Sequence, residues 1–296
     1  MKRATPMIRL AGFALIAFTL AIPARAQDTD STGEGGGTEV APKVEAPAAT
    51  PLQKVIRAVA HEAGRYFSDT IGMAVAPAHW TQSDWEKAAG FTIVLSGLLI
   101  ADEDIDMAAQ RRRSHFTNSV SDATTSFGGG NGTQVAVLAI GAGLVFKSPW
   151  LRDTGREALE ASILTALVEN LVIKPIFGRE RPVLANGENN FDWFSSNSSF
   201  PSGHTTQAFA IASVVAARTD GWVVPTISYT LASLVAFDRV NDRVHFASDV
   251  FAGAVFGTVV GKYIVHKHER EAVGAPSKSS LDIVPIRNGL AARFSF

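Results

Sequence analysis

Pro201-Ser202-Gly203-His204-Thr205 runs straight into the apolar stretch Thr205–Ala217, and this junction decides how the chain is read. Ser202 stands where a helix N-cap belongs, and Gly203 allows close backbone approach. The first helical amides then point outward with the positive end of the dipole behind them, which makes a ready anion site. Four further apolar runs share the pattern: Val135–Phe146, Ala158–Ile173, Val223–Phe237 and Val250–Val265. Strand alternation is nearly absent and no internal repeat is found, so the fold class is all-α, a helical bundle. Each run offers about 12 to 18 apolar residues against the roughly 20 that cross a bilayer, and most are interrupted by polar residues. They read as buried core helices, or at most marginal spans, and a soluble or peripherally attached bundle is favoured over a polytopic membrane protein.

Upstream, Leu52, Val55, Ile56, Val59, Ala63, Phe67 and Ile71 recur at three- and four-residue steps, the apolar face of a helix docked on the core. Ser83 and Glu86 have capping-box spacing and open a helix through Gly90–Ala101, which stops at Asp102, Glu103 and Asp104. Ile105–Thr125 reads as one or two polar helices, with Arg111, Arg112 and Arg113 on a solvated face. Gly128-Gly129-Gly130-Asn131-Gly132 breaks the chain. At the far end, Leu281–Ile286 and Leu290–Phe296 flank Asn288-Gly289, the signature of a short β-hairpin lying on the helical body.

The 296 residues are 46% hydrophobic and 19% charged, which excludes global disorder. A net charge of −1 gives no reason to expect nucleic acid as a partner. With no cysteine, disulfides, thiolate metal sites and cysteine nucleophiles drop out together. Residues 1–26 have the three parts of a secretory signal: the basic Lys2, Arg3 and Arg9, the apolar Leu10–Ile22, and Ala24-Arg25-Ala26 at the cleavage site. Residues 27–50 are Gly-, Pro-, Ala- and acid-rich, a disordered linker. The expected layout is a helical domain over 51–268 with its motif core at 158–265, then a tail over 269–296, in a periplasmic or secreted protein with membrane-surface contact.

Three segments share one chemical theme. Lys174 and Arg181 stand seven apart in a stretch broken by Pro175, Gly178 and Pro182, where an irregular loop can converge cations on one point. Ser202, Gly203 and His204 open the anion-binding helix. In the third segment, Arg239, His245 and Asp249 follow Asp238. His245 and Asp249 are four apart, so on a helix they share a face. The carboxylate can then accept a proton from one imidazole nitrogen and leave the other as a nucleophile. Of the remaining histidines, His266 and His268 lack further metal ligands in the sequence and read as a solvated helix end.

Together the segments resemble the signature of the type 2 phosphatidic acid phosphatase family: Lys-x6-Arg-Pro, Pro-Ser-Gly-His and Ser-Arg-x5-His-x3-Asp. Lys174, Arg181, Pro182, Pro201 through His204, Arg239, His245 and Asp249 match in order and spacing. Asp238 stands where the family usually has serine, which bears on how Arg239 is held. The resemblance covers about Ala158 to Val265. It implies a metal-independent phosphomonoesterase or lipid phosphate phosphatase with no cofactor, acting through a phosphohistidine. In that scheme Lys174, Arg181 and Arg239 bind the phosphoryl oxygens, with Ser202 and Gly203 adding hydrogen bonds. His245 is the nucleophile, His204 the proton donor, and Asp249 orients His245. The implied partner is a phosphorylated lipid or a small phosphomonoester. Two alternatives stand beside this reading. Vanadium-dependent haloperoxidases are similar in all three motifs, and a non-catalytic envelope protein could keep the bundle without the chemistry.

Overall fold

The computed structural model describes residues 50–128, 131–184, 190–274, 280–286 and 289–295. Its elements lie in one compact unit, Ala49–Phe296. The expected signal peptide and all of the linker but Thr50 fall outside the described residues.

The chain opens with α1 (Pro51–Val75) and α2 (Gln82–Arg111). The capping box of α2 is Thr81 with Asp84, two residues before the expected Ser83 and Glu86. Thr81 keeps extended backbone (φ −78, ψ 169), so its hydroxyl can accept the Asp84 amide while Asp84 accepts the Thr81 amide at 3.1 Å. Nor does α2 stop at Ala101. Asp102 and Asp106 are buried on its inner face, where Arg179 and Arg243 meet them. A carboxylate with a buried arginine partner continues a helix that a solvated one would end.

Next come α3 (His115–Gly128), α4 (Asn131–Val145) and α5 (Pro149–Val168), the last capped by Ser148 with Pro149 in the first turn. A π-helical turn, Glu169–Ile173, joins α5 to the short α6 (Lys174–Phe177). Gly178 ends α6 in the left-handed region at φ +52, a conformation side chains resist. After a long loop follow α7 (Gly203–Ala217), α8 (Val223–Asn241) and α9 (Ala247–Ala272). Beyond them, β1 (Ser280–Ile286) and β2 (Gly289–Ser295) pair antiparallel with Ile286 opposite Gly289. Residues 287–288 and Phe296 lie outside the described residues.

The centre of the body is α7 against α9, backed by α5. Gly253, Gly257 and Gly261 form a stripe along α9 facing Thr206, Ala210 and Ser213. A Cβ at Gly253 would stand 2.7 Å from the Ser202 carbonyl oxygen, so the two backbones approach as only glycine permits. Ala158, Ala161, Leu164, Val214, Val260 and Ile264 complete this core.

Small residues face inward and many large ones face out, which corrects the reading of these runs as buried core helices. Val137, Leu138 and Leu144 of α4 are exposed, as are Val223, Ile227 and Leu231 of α8. The inward face of α8 carries Ala232 and Val235. Among the described residues, α9 is long and apolar enough to cross a membrane, and half of its apolar window is buried inside the body.

Candidate active site

The loop before α9, the N-terminus of α7, the end of α8 and the π turn meet at one end of the core. His245 is not on a helix with Asp249, as the spacing of four suggests. It lies just outside α9, whose N-cap is Phe246, while Asp249 sits in the first turn. Asp249 is drawn there because its Oδ2 accepts the Phe246 amide at 2.9 Å. His245 Nδ1 lies 3.7 Å from Asp249 Oδ2 but 2.8 Å from the Ser199 carbonyl oxygen. A carbonyl can only accept, so Nδ1 carries the proton and Nε2 keeps the free lone pair. The hydrogen bond expected from Asp249 therefore comes from Ser199. Asp249 acts at one remove, accepting the Ser199 hydroxyl at 2.6 Å and adding its charge.

Arg179, which sequence reasoning passed over, organises this corner. It is fully buried and donates to Asp249 Oδ1 and Asp102 Oδ2, each at 2.7 Å, and to Ser248 Oγ at 2.6 Å. Asp102 also accepts the Ser248 amide at 3.0 Å. The Phe246 ring lies 4.1 Å from the guanidinium carbon. This network ties α2 to the loop that presents His245. A single arginine between two motif cations carries no spacing signal, and Asp102 lies far upstream in sequence, so neither stood out.

Ser202 is the N-cap residue of α7 by position, but its buried hydroxyl accepts from Thr205 Oγ1 at 3.0 Å and caps no amide. The first amides of α7 are thereby left for an anion. Gly203 is flanked by Lys174 Nζ and Glu169 Oε2, which a Cβ there would approach at 3.1 and 3.0 Å. His204 follows in the same turn. Burial, helped by the charges of Arg239 and His245, lowers its pKa to about 4. Burial also pushes His245 down, against an upward pull from Asp249 and the Ser199 carbonyl. The charge of Arg181 reaches His245 and that of Lys174 reaches His204, so each cation lies near one of the two histidines.

Arg239 Nε donates to its neighbour Asp238 at 3.0 Å, and a second guanidinium nitrogen binds the same oxygen. Ser121 of α3 donates to the other Asp238 oxygen. The unusual acid thus holds the arginine in place from within the fold. At the opposite end of α9, His268 is not a solvated helix end. Only 10% of its side chain is exposed, and Nδ1 lies 3.0 Å from Glu157 Oε1. Ligand-type atoms of His268, Asp69 and Glu160 fall within 4.8 Å of one another, a grouping invisible from His266 and His268 alone. Lys267 and Arg65 supply cations to that cluster.

The chain is similar to several known proteins. A family model described as the PAP2 superfamily matches residues 157–272. Lipid A 1-phosphatase of Porphyromonas gingivalis is 38% identical over 117 residues, covering 38% of this chain and 23% of that protein. Phosphatidylglycerophosphatase B of Bacillus subtilis is 30% identical over 170 residues, covering 54% of this chain and 79% of that protein. A solved structure, a transmembrane PAP2-type phosphatidylglycerolphosphate phosphatase from Bacillus subtilis, aligns with a TM-score of 0.49 at 26% identity. The alignment covers 62% of this chain and 96% of that one. By class the chain is a phosphatase, a phosphoric monoester hydrolase. It belongs to the PAP2 superfamily.

Proposed function

We propose that the protein is a lipid phosphate phosphatase that works through a phosphohistidine at His245 and needs no divalent metal. The observation that carries this reading is the 2.8 Å approach of His245 Nδ1 to the Ser199 carbonyl oxygen: a carbonyl can only accept, so the proton sits on Nδ1 and Nε2 is left as the nucleophilic nitrogen. Lys174, Arg181, Arg239 and the first amides of α7 bind the phosphoryl oxygens and offset the charge that spreads over them in the transition state. Nε2 attacks phosphorus, the bond to the leaving oxygen breaks with its electron pair passing to that oxygen, and His204 donates a proton to it. His204 then removes a proton from water, which displaces the imidazole and releases phosphate.

The relatives support a lipid substrate, since their names specify lipid A and phosphatidylglycerophosphate. Membrane association fits the apolar outer faces of α4 and α8, which water solvates poorly. In this reading the signal is cut after Ala26 and the site works on the periplasmic side.

Acid quenching with labelled substrate tests the mechanism. Wild type is expected to yield an acid-labile, base-stable adduct at His245, and His245→Ala neither adduct nor turnover in EDTA or out of it. Label on Ser202, or substantial turnover by His245→Ala, refutes the assignment. Turnover that EDTA abolishes and Mg²⁺ or Zn²⁺ restores refutes metal independence. Bromide oxidation that depends on vanadate would favour the haloperoxidase alternative.

A further inference from the structure

The π turn places a carboxylate beside the phosphate site that none of the three motifs contains. Glu169 and Lys174 are five residues apart, and on an α-helix they would point about 140° away from each other. In the π turn the Lys174 amide instead bonds the Glu169 carbonyl, which stacks the two residues on one side. Glu169 Oε2 then lies 3.9 Å from Lys174 Nζ, and both atoms face the Cα of Gly203 at the start of α7. The Glu169 side chain is 2% exposed, and its Oε1 has no hydrogen-bond partner among the described residues.

We infer that Glu169 is a positioning residue for phosphoryl binding. Its buried carboxyl holds the Lys174 ammonium across Gly203 and sets how much of that cation's charge reaches the substrate. This rests on the reading of Lys174 as a phosphate ligand. Burial raises the Glu169 carboxyl, opposed by Thr206 and by Lys174, so its ionisation falls nearer the working range than that of an exposed glutamate. Ionised, Glu169 competes with the phosphoryl group for Lys174; protonated, it leaves the ammonium to the substrate. The groups around it are Lys174 and Asn170 on its own segment and Gly203 and Thr206 on α7, with Gly253 of α9 behind Thr206. Asn170 Oδ1 lies 3.5 Å from Lys174 Nζ and keeps the lysine oriented when Glu169 is neutral.

The test compares full-length wild type, Glu169→Gln and Glu169→Asp in detergent, on a soluble aryl phosphate, with inorganic phosphate as competing inhibitor. Dividing the wild-type KM and Ki by the variant's at each pH cancels the ionisation of the ligands. The ratio for Glu169→Gln is expected to be near one in acid. It should rise to about tenfold in mild alkali, the change that coupling by one pKa unit produces, while kcat moves less. Glu169→Asp, which keeps the charge but reaches less far, should show the same trend at smaller amplitude and serves should the glutamine variant not fold. A ratio that stays flat with pH, or a loss confined to thermal stability, overturns the inference. Lys174→Ala separates the two failures: if it raises KM and the phosphate Ki about tenfold or more while the Glu169→Gln ratio is flat, only the role of Glu169 falls, and if it leaves both unchanged the reading of Lys174 falls with it.

Discussion

Two clusters of buried charge sit at opposite ends of α9, about 28 Å apart along its axis, and they are matched differently. At the N-terminal end, both oxygens of Asp102 and of Asp249 accept from Arg179, Ser199, Ser248 or backbone amides. At the C-terminal end, Asp69 meets Lys267 and Glu157 meets Arg218, while Arg65 and His268 each stand 3.5 Å from the same oxygen of Glu160. Asp69 Oδ2 and Glu160 Oε1 are left without hydrogen-bond partners among the described residues. Burial accordingly carries the Glu160 pKa up to about 7. The same residue types make a fixed scaffold where donors match acceptors and a proton-labile cluster where they do not. The fixed one stands behind the nucleophile.

The largest effect should come from cutting the matched network. Arg179→Met leaves Asp102 and Asp249 buried without their cation, and the expected loss is about 3–5 kcal/mol of stability, with activity lost alongside. Urea unfolding in detergent measures it, and a loss below about 1 kcal/mol would erase the contrast between the two ends.

A second effect, selective for substrate, is expected at His204. His204→Ala should cost about 10²–10⁴ in kcat on an alkyl phosphate, whose leaving oxygen needs a proton, and far less on a nitrophenyl phosphate. Because the pKa of His204 is lowered to about 4, its proton-donating form grows as pH falls, while burial shifts His245 in the direction that favours the unprotonated nucleophile. Wild-type kcat/KM on the alkyl substrate should therefore rise from neutral pH toward acid, and the His204 variant should lose that rise. Equal losses on both substrates would show that His204 does not donate the proton.

The smallest effect belongs to the unmatched cluster and has the opposite sign. Between the ordinary 4.5 and about 7, folded Glu160 keeps a proton that the unfolded chain gives up. Stability should fall as pH rises through that window. Glu160→Gln removes the penalty, so the variant should be more stable by on the order of 1 kcal/mol near pH 8 and no different near pH 4. Thermal midpoints at the two pH values decide it. Destabilisation near pH 8 would mean that the carboxylate is as well matched there as Asp249 is at its own end.

How far the sequence reaches is clearest residue by residue. The helices were legible because apolar runs and breakers such as Gly128–Gly132 are local signals. The motif cations and both histidines stood out because their spacing within each segment is local as well. The sequence did not show which way α4 and α8 turn their large side chains, since one apolar run serves a core helix or a lipid-facing one.

By itself, then, the sequence determined an all-α chain carrying Lys174, Arg181, His204, Arg239 and His245 in the order of a known signature. Only the tertiary structure decided what fixes them. Ser199 rather than Asp249 accepts the His245 proton, and Arg179 joins Asp102 to Asp249 across 147 residues of chain. A π turn brings Glu169 round to Lys174. These partners are set by burial: once water is excluded, each polar group must find the nearest matching donor or acceptor in space, and nearness in space leaves no periodic trace along the chain.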